Sequence, residues 1–214
     1  MTERMIRVLL VDDHVIARSG VRLMLGTAHD IDVAGEAANA HDGMALALAE
    51  DFDVALVDIT MPGKNGLELL KSLRTARPKL AVLILSTYSE EIYAIRALKL
   101  GAAGYLTKDA PTAILVAAVR KAAAGGKHVS PALMEKLASL VGGGGGGGAS
   151  HETLSNRELD VFKLLATGSS LVQIGTMLHL SPNTVTTYRA RILDKMGLGS
   201  NAELTRYALE NGII

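Results

Sequence analysis

The sequence contains no cysteine, which removes disulfide frameworks, thiolate metal sites and cysteine nucleophiles from consideration. It also lacks any window of about 18 uninterrupted apolar residues, so no stretch reads as a membrane-spanning helix. Met1 to Arg7 leads straight into a short apolar run, without the apolar core and cleavage site of a secretory leader. The expected compartment is therefore the cytoplasm, with no membrane partner. Net charge is absent too, since 22 Lys and Arg balance 22 Asp and Glu. The balance holds in each half, 16 against 16 through Val141 and 6 against 6 from Ala149 onward. Bulk charge offers nothing to nucleic acid, and any such contact must come from a local patch.

What is present is organised around one sharp boundary. Gly142 to Gly148 is a run of seven glycines in a chain of 214 residues. Glycine loses the most backbone entropy on ordering, and the run has no side chain to anchor it, so it reads as a flexible tether. Residues 1–126 form the expected first domain, 127–150 a linker containing the tether, and 151–214 the second domain.

Before the tether, apolar strand-like runs alternate with helical stretches. The strands fall at Ile6–Val11, Ile31–Ala34, Val54–Val57, Leu80–Leu85 and Gly104–Leu106. The helices fall at Val15–Gly26, Ala40–Glu50, Leu67–Ala76, Glu90–Leu100 and Thr112–Ala124, and Pro131–Val141 reads as a further helix entering the tether. Five strands alternating with five helices predict an α/β domain with a doubly wound, five-stranded parallel sheet. After the tether the periodicity is helical throughout, at about 156–167, 171–179, 182–196 and 201–210. That is a small all-α domain of four helices.

Chemistry-bearing residues collect at strand ends. Asp12 and Asp13 follow the first strand, Asp58 the third and Lys108 the fifth, while Ser86 ends the fourth. Doubly wound topology brings these ends to one edge of the sheet. Crowded carboxylates repel unless a cation binds, and hard oxygen ligands suit Mg²⁺. Such a metal, together with Lys108, would neutralise a transferring phosphoryl group, and Ser86 could donate a hydrogen bond to it. Taken singly, Asp13 also reads as the N-cap of the helix from Val15, Ser86 as a turn residue and Lys108 as a solvated charge. The five together at matching strand ends carry the phosphoryl reading.

Residues 6–125 resemble a receiver domain of the response-regulator superfamily, which has the flavodoxin-like fold. The matching features are Leu10-Val11-Asp12-Asp13-His14, Val57-Asp58-Ile59-Thr60-Met61-Pro62-Gly63, Gly66, Leu85-Ser86 and Gly101 to Lys108. The resemblance implies that Asp58 accepts phosphate from the phosphohistidine of a sensor histidine kinase. It also implies a Mg²⁺ site of Asp13, Asp58 and the Thr60 backbone carbonyl, with Asp12 assisting. Ser86 and Tyr105 would be a switch pair that reorients when the phosphoryl group arrives. Asp58 is then a site of covalent modification, and the chain is not expected to be a turnover enzyme.

In the second domain, Ser155 with Glu158 three residues on fits a capping box, and Ser181-Pro182 fits an N-cap followed by proline at the first helical position. On the helix after Pro182, Val185, Ile192 and Met196 share an inward face, whereas Thr187, Ala190 and Arg191 lie opposite with Thr186 on the flank. Short hydroxyl and methyl side chains can approach base edges in a major groove, and arginine can bind guanine or phosphate. From 181 to 196, Arg189, Arg191 and Lys195 outnumber Asp194. A protein-binding helical module with a solvated polar face has the same pattern.

Residues 153–214 resemble the LuxR/GerE-type helix-turn-helix of the NarL/FixJ family, through Leu154 to Val161, Leu165 to Ser170, Ile174, Leu178, Leu180-Ser181, Thr184-Val185, Ile192 and Lys195 to Leu198. Thr187-Tyr188-Arg189-Ala190-Arg191-Ile192 is similar to regulators of the GacA/UvrY kind. The resemblance implies double-stranded DNA as partner, read at two-fold promoter sites by a homodimer formed on phosphorylation. Thr184, Thr186, Thr187, Tyr188, Ala190, Arg191 and Lys195 are the candidate contacts, with the helix over Asn201–Glu210 helping two modules to pair. Many relatives carry Lys at the position of Thr186 and His at that of Tyr188. Gly175 stands where alanine is usual and is expected to weaken its helix slightly. Two rivals use the same residues: a constitutive DNA-binding protein with a receiver scaffold that is never phosphorylated, and an adaptor whose helical module binds protein.

Overall fold

The computed structural model describes residues 4–61, 65–87, 90–141 and 151–214. Pro62, Gly63 and the glycine run lie outside the described residues. The chain divides into two compact units, Met1–Gly144 and Gly145–Ile214.

The first unit is built on five parallel strands, β1 (Ile6–Val11), β2 (Ile31–Ala37), β3 (Val54–Asp58), β4 (Ala81–Ser86) and β5 (Gly104–Thr107). Their order is β2-β1-β3-β4-β5, so the chain reverses direction of winding between β1 and β3. Helices α1 (Val15–Leu25), α2 (Ala40–Ala49), α3 (Gly66–Ala76), α4 (Glu90–Lys99) and α5 (Thr112–Ala123) connect and follow the strands. The pleat sends alternate side chains to opposite faces. Val8, Leu10, Leu56, Leu83, Leu85 and Leu106 pack with Val21 and Leu25 of α1 and Leu115 and Val119 of α5. Leu9, Val11, Ala55, Val57, Val82 and Ile84 are equally buried, as are Leu70 and Leu73 of α3 and Ala94 and Ala97 of α4. Both faces are dry, which is why these strands read as continuous apolar runs rather than alternating ones.

Helix α6 (Pro131–Val141) belongs to this unit and packs on α4, with Leu133 only 3% exposed. The segment leading to it is tied to the sheet edge. His128 N–H donates to the Ala103 carbonyl at 2.7 Å, and Gly104 bridges to His128.

The second unit holds α7 (Asn156–Ala166), α8 (Leu171–Leu178), α9 (Pro182–Met196) and α10 (Asn201–Glu210). Each begins at a serine whose hydroxyl accepts the backbone N–H three residues on: Ser155, Ser170, Ser181 and Ser200. Ser155 with Glu158 and Ser170 with Gln173 form full capping boxes. Leu159, Phe162, Ile174, Val185, Ile192 and Leu204 make the core.

The sharp turn from α8 into α9 gives Gly175 a purpose beyond its effect on helix propensity. A side-chain carbon at Gly175 would lie 2.7 Å from the Leu180 carbonyl oxygen, and the Gly175 carbonyl accepts the Leu180 N–H at 2.8 Å. Alanine does not fit there without movement, so the glycine permits the turn at the cost in helix propensity expected of it. His179 completes the turn in the left-handed region at φ 53°. Among the described residues, no helix is long and apolar enough to cross a membrane.

Candidate functional site

Parallel topology places the carboxyl ends of β1 and β3 side by side at the point where strand order reverses, the usual crevice for a ligand in such sheets. Asp12 and Asp13 leave β1 there, and Asp58 is the last residue of β3. Asp12 is 1% exposed and Asp58 3%. Lys108, just past β5, reaches back into the crevice, with its Nζ 2.9 Å from Asp58 Oδ2 and 2.6 Å from Asp12 Oδ2. Its backbone is held by the Ser86 carbonyl, which accepts the Lys108 N–H at 2.8 Å.

Asp13 does not cap α1. The N-cap is His14, which makes no side-chain capping bond, and its N–H donates to Asp12 Oδ1 at 2.8 Å. That releases the Asp13 carboxylate to face the pocket. A glycine is required on the opposite wall, because a side-chain carbon at Gly66 would sit 2.0 Å from the Asp58 carbonyl oxygen. The start of α3 is thereby packed directly under Asp58, with Asn65 capping it through the Glu68 N–H at 3.0 Å.

Burial pushes the Asp58 carboxyl up to about 6, with Asp12 acting in the same direction and the hydrogen bonds from Lys108 and the Thr60 N–H opposing. For Lys108, burial works downward, but its bonds to Asp12 and Asp58 outweigh this and raise it. Three carboxylates against one ammonium leave two negative charges when all are ionised, the deficit a divalent cation fills. Carboxylate oxygens of Asp12, Asp13 and Asp58 and a ring nitrogen of His14 lie within 4.8 Å of one another. Asp12 Oδ2 and Asp13 Oδ1 are shielded from water and, among the described residues, face only the Lys108 and His14 nitrogens, at 2.6 and 2.9 Å and poorly aligned. Buried oxygens this sparsely partnered at the centre of a carboxylate cluster fit a cation site.

His14 was not singled out as a site residue from the sequence, although it adjoins Asp12-Asp13. Its Nδ1 lies 2.9 Å from Asp13 Oδ1. Arg18, one turn into α1, was also missed, and its Nη1 donates to the Asp12 carbonyl at 2.5 Å. Thr60 contributes a backbone N–H toward Asp58, and its side chain is exposed. Ser86 and Tyr105 are 0% and 1% exposed. Tyr105 pairs in register with Ile84, two residues before Ser86, so ring and hydroxyl share one sheet face.

On α9, Val185, Ile192 and Met196 are buried as the periodicity requires. Thr184, Thr186, Thr187, Ala190, Arg191 and Lys195 are exposed and Tyr188 is half-buried. Exposure does not make them equivalent. Lys195 Nζ donates to the buried Glu158 Oε2 at 2.7 Å, closing the capping box of α7 from outside. Arg189 is bonded to Asn201 Oδ1 at 2.7 Å. On α10, Leu204 and Ala208 pack inward and the Tyr207 hydroxyl meets His151, while the large apolar side chain of Leu209 is 62% exposed.

The sheet order, the carboxylate pocket and the separate serine-capped helical unit together define a receiver joined to a helix-turn-helix module. Residues 8–120 match the response regulator receiver domain, and residues 152–208 match the bacterial regulatory proteins of the luxR family. The chain is 35% identical over 210 residues to response regulator GacA of Pseudomonas aeruginosa, covering 98% of each. It is 32% identical over 209 residues to response regulator UvrY of Escherichia coli K12, covering 98% of this chain and 96% of that one. Among solved structures, the response regulator ChrA of a heme-sensing two-component system is 32% identical, with 98% and 99% covered and a TM-score of 0.53. RcsB of Salmonella typhimurium, 22% identical with 97% and 98% covered, shares the fold at a TM-score of 0.72. The chain belongs to the two-component response regulators that join a receiver domain to a LuxR-type DNA-binding domain.

Proposed function

We propose that Asp58 takes a phosphoryl group from the phosphohistidine of a sensor histidine kinase, and that this modification controls dimerisation and sequence-specific binding of promoter DNA by the second unit. One observation carries the reading: the Asp58 carboxylate lies at the β1/β3 crossover with Asp12 beside it and Lys108 Nζ 2.9 Å away. A carboxylate oxygen of Asp58 attacks phosphorus, the P–O bond forms as the P–N bond to the donor imidazole breaks, and the imidazole leaves with the electron pair. Lys108 then bonds phosphoryl oxygens, and the Ser86 hydroxyl moves toward them. Tyr105, on the same face, follows that movement and alters the β4–β5 surface.

Asp13, Asp58 and the Thr60 carbonyl would hold Mg²⁺, with Asp12 assisting; when bound, the ion supplies positive charge for the incoming phosphoryl oxygens. The matches over 8–120 and 152–208 support a receiver and a DNA-binding domain over 151–214, with His128 and α6, inside the expected linker over 127–150, packed on the receiver. A protein of this kind works in the cytoplasm and turns over no substrate of its own.

The test is intact mass and gel-filtration size after incubation with Mg²⁺ and a small acyl-phosphate donor, beside Asp58→Ala. The expected result is a gain of one phosphoryl group with a shift to dimer, both lost in the variant. A shift in size without a gain in mass would favour the scaffold rival.

A further inference from the structure

Asn183 and Arg191 are exposed polar side chains on the outward face of α9 that stand two turns apart and, with Asp194 beyond them, make no hydrogen bond among the described residues. The threonine hydroxyls, Arg189 and Lys195 of the helix are already engaged. The Thr186 hydroxyl donates to the Pro182 carbonyl at 3.0 Å and the Thr187 hydroxyl to the Asn183 carbonyl at 3.1 Å. Thr184 Oγ1 lies 2.8 Å from Ser181 Oγ, while Arg189 and Lys195 are bound to Asn201 and Glu158. Asn183, Thr187 and Arg191 follow each other at four-residue spacing on one stripe, directly opposite Val185, Ile192 and Met196, with Ala190 alongside. All four are exposed. With the Thr187 hydroxyl proton committed to the helix, what remains to meet a partner between the two polar ends is a pair of methyl groups, from Thr187 and Ala190.

Resting on the DNA-binding reading above, we infer that the exposed stripe of α9 reads a half-site by thymine methyl contact flanked by two polar contacts, Asn183 to adenine and Arg191 to guanine. The chemistry is matched group by group. The amide of asparagine pairs with N6 and N7 of adenine, the guanidinium with O6 and N7 of guanine, and an alanine or threonine methyl packs on the C5-methyl of thymine. Eight residues span about 12 Å of helix, which corresponds to about three base pairs along the groove. Asn183, on the first turn of α9, had not been singled out as a contact from the sequence, yet its place suits a recognition helix that enters the groove by its N-terminal end. Asp194 lies on the same stripe one turn beyond Ala190 and is exposed. An acid there repels phosphate, so the reading stretch ends at Arg191.

The experiment is selection of duplexes from a randomised pool by the full chain with Mg²⁺ and an acyl-phosphate donor. Binding of the selected duplex is then measured with thymine and with deoxyuridine, which lacks only the methyl. Half-sites with thymines between an A·T and a G·C pair are expected, and each deoxyuridine in the centre should weaken binding about fourfold. Thr187→Val keeps a methyl and loses the hydroxyl, so it should retain the preference for thymine. Thr187→Ser does the reverse and should lose it. Asn183→Ala should relax selection at the adenine alone. Equal binding of thymine and deoxyuridine, or a loss in Thr187→Val that Thr187→Ser does not share, would overturn methyl reading while leaving DNA binding intact. A pool that yields no enriched sequence would overturn both readings.

Discussion

Two carboxylates set the pH behaviour, in opposite directions. Asp58, held at about 6 by burial, favours its neutral form in the fold. Its contribution to stability is therefore present below the ordinary 3.8 and lost as pH rises through about 6. A carbon-detected NMR titration should show the inflection near 6, moved upward in Lys108→Met, which removes the main opposing contact, and downward with Mg²⁺, which binds the ionised form. Glu158 behaves inversely. Burial raises it, but the Lys195 ammonium and the Ser155 backbone and hydroxyl bonds together hold it below the usual 4.5. That stabilises the second unit above 4.5 and the gain is lost as pH falls through the lowered value. Protection factors of the α7 amides, which divide out the intrinsic pH dependence of exchange, should therefore fall on acidification below about pH 4.5, and the slope should flatten in Glu158→Gln. The carboxylate roster was legible because each acid follows an apolar strand. The Lys195 partner was not, since nothing local links residues 37 positions apart.

Single elements carry the geometry through close approaches that only glycine allows. Gly175→Ala gains about 1 kcal/mol of helix propensity. It must also move a carbonyl 2.7 Å from the new carbon, so the outcome is net destabilisation of the second unit by about 1–2 kcal/mol. Chemical unfolding followed by the Tyr207 environment would measure it. Gly66→Ala is a stronger case, since the new carbon would fall 2.0 Å from the Asp58 carbonyl. Displacing the start of α3 displaces Asp58, the proposed acceptor, and phosphoryl uptake should fall at least about tenfold. Helix extents came through the sequence well: α9 runs over Pro182–Met196, the span the proline and periodicity give. Reading 127–150 wholly as linker missed that His128 binds the β5 edge and α6 packs on α4. A backbone hydrogen bond and a single bridge at the sheet edge leave no trace in side-chain pattern.

At the scale of the whole molecule, the fold class was written in the alternation of apolar runs and helices, and the order β2-β1-β3-β4-β5 explains why the acids meet. The outward face of α9, proposed above to read DNA, was only half legible. Periodicity separates inside from outside, but which outward groups are spent on neighbours, as Arg189 and Lys195 are, depends on tertiary contacts. With Arg189 and Lys195 bound within the unit and Arg191 assigned to a base, α9 neutralises few phosphates. The affinity for DNA should fall with salt on a shallow log–log slope, no steeper than about −2 per module at about −0.9 per phosphate neutralised. The central claim is that a phosphoryl group on Asp58 governs DNA binding by a unit that contains none of the pocket. Its most direct test is the affinity of the full chain for a selected duplex, with and without the acyl-phosphate donor, beside Asp58→Ala. The expected result is a tightening of about tenfold or more in the wild type and none in the variant. Equal affinity in every case, or the same tightening in Asp58→Ala, would contradict it.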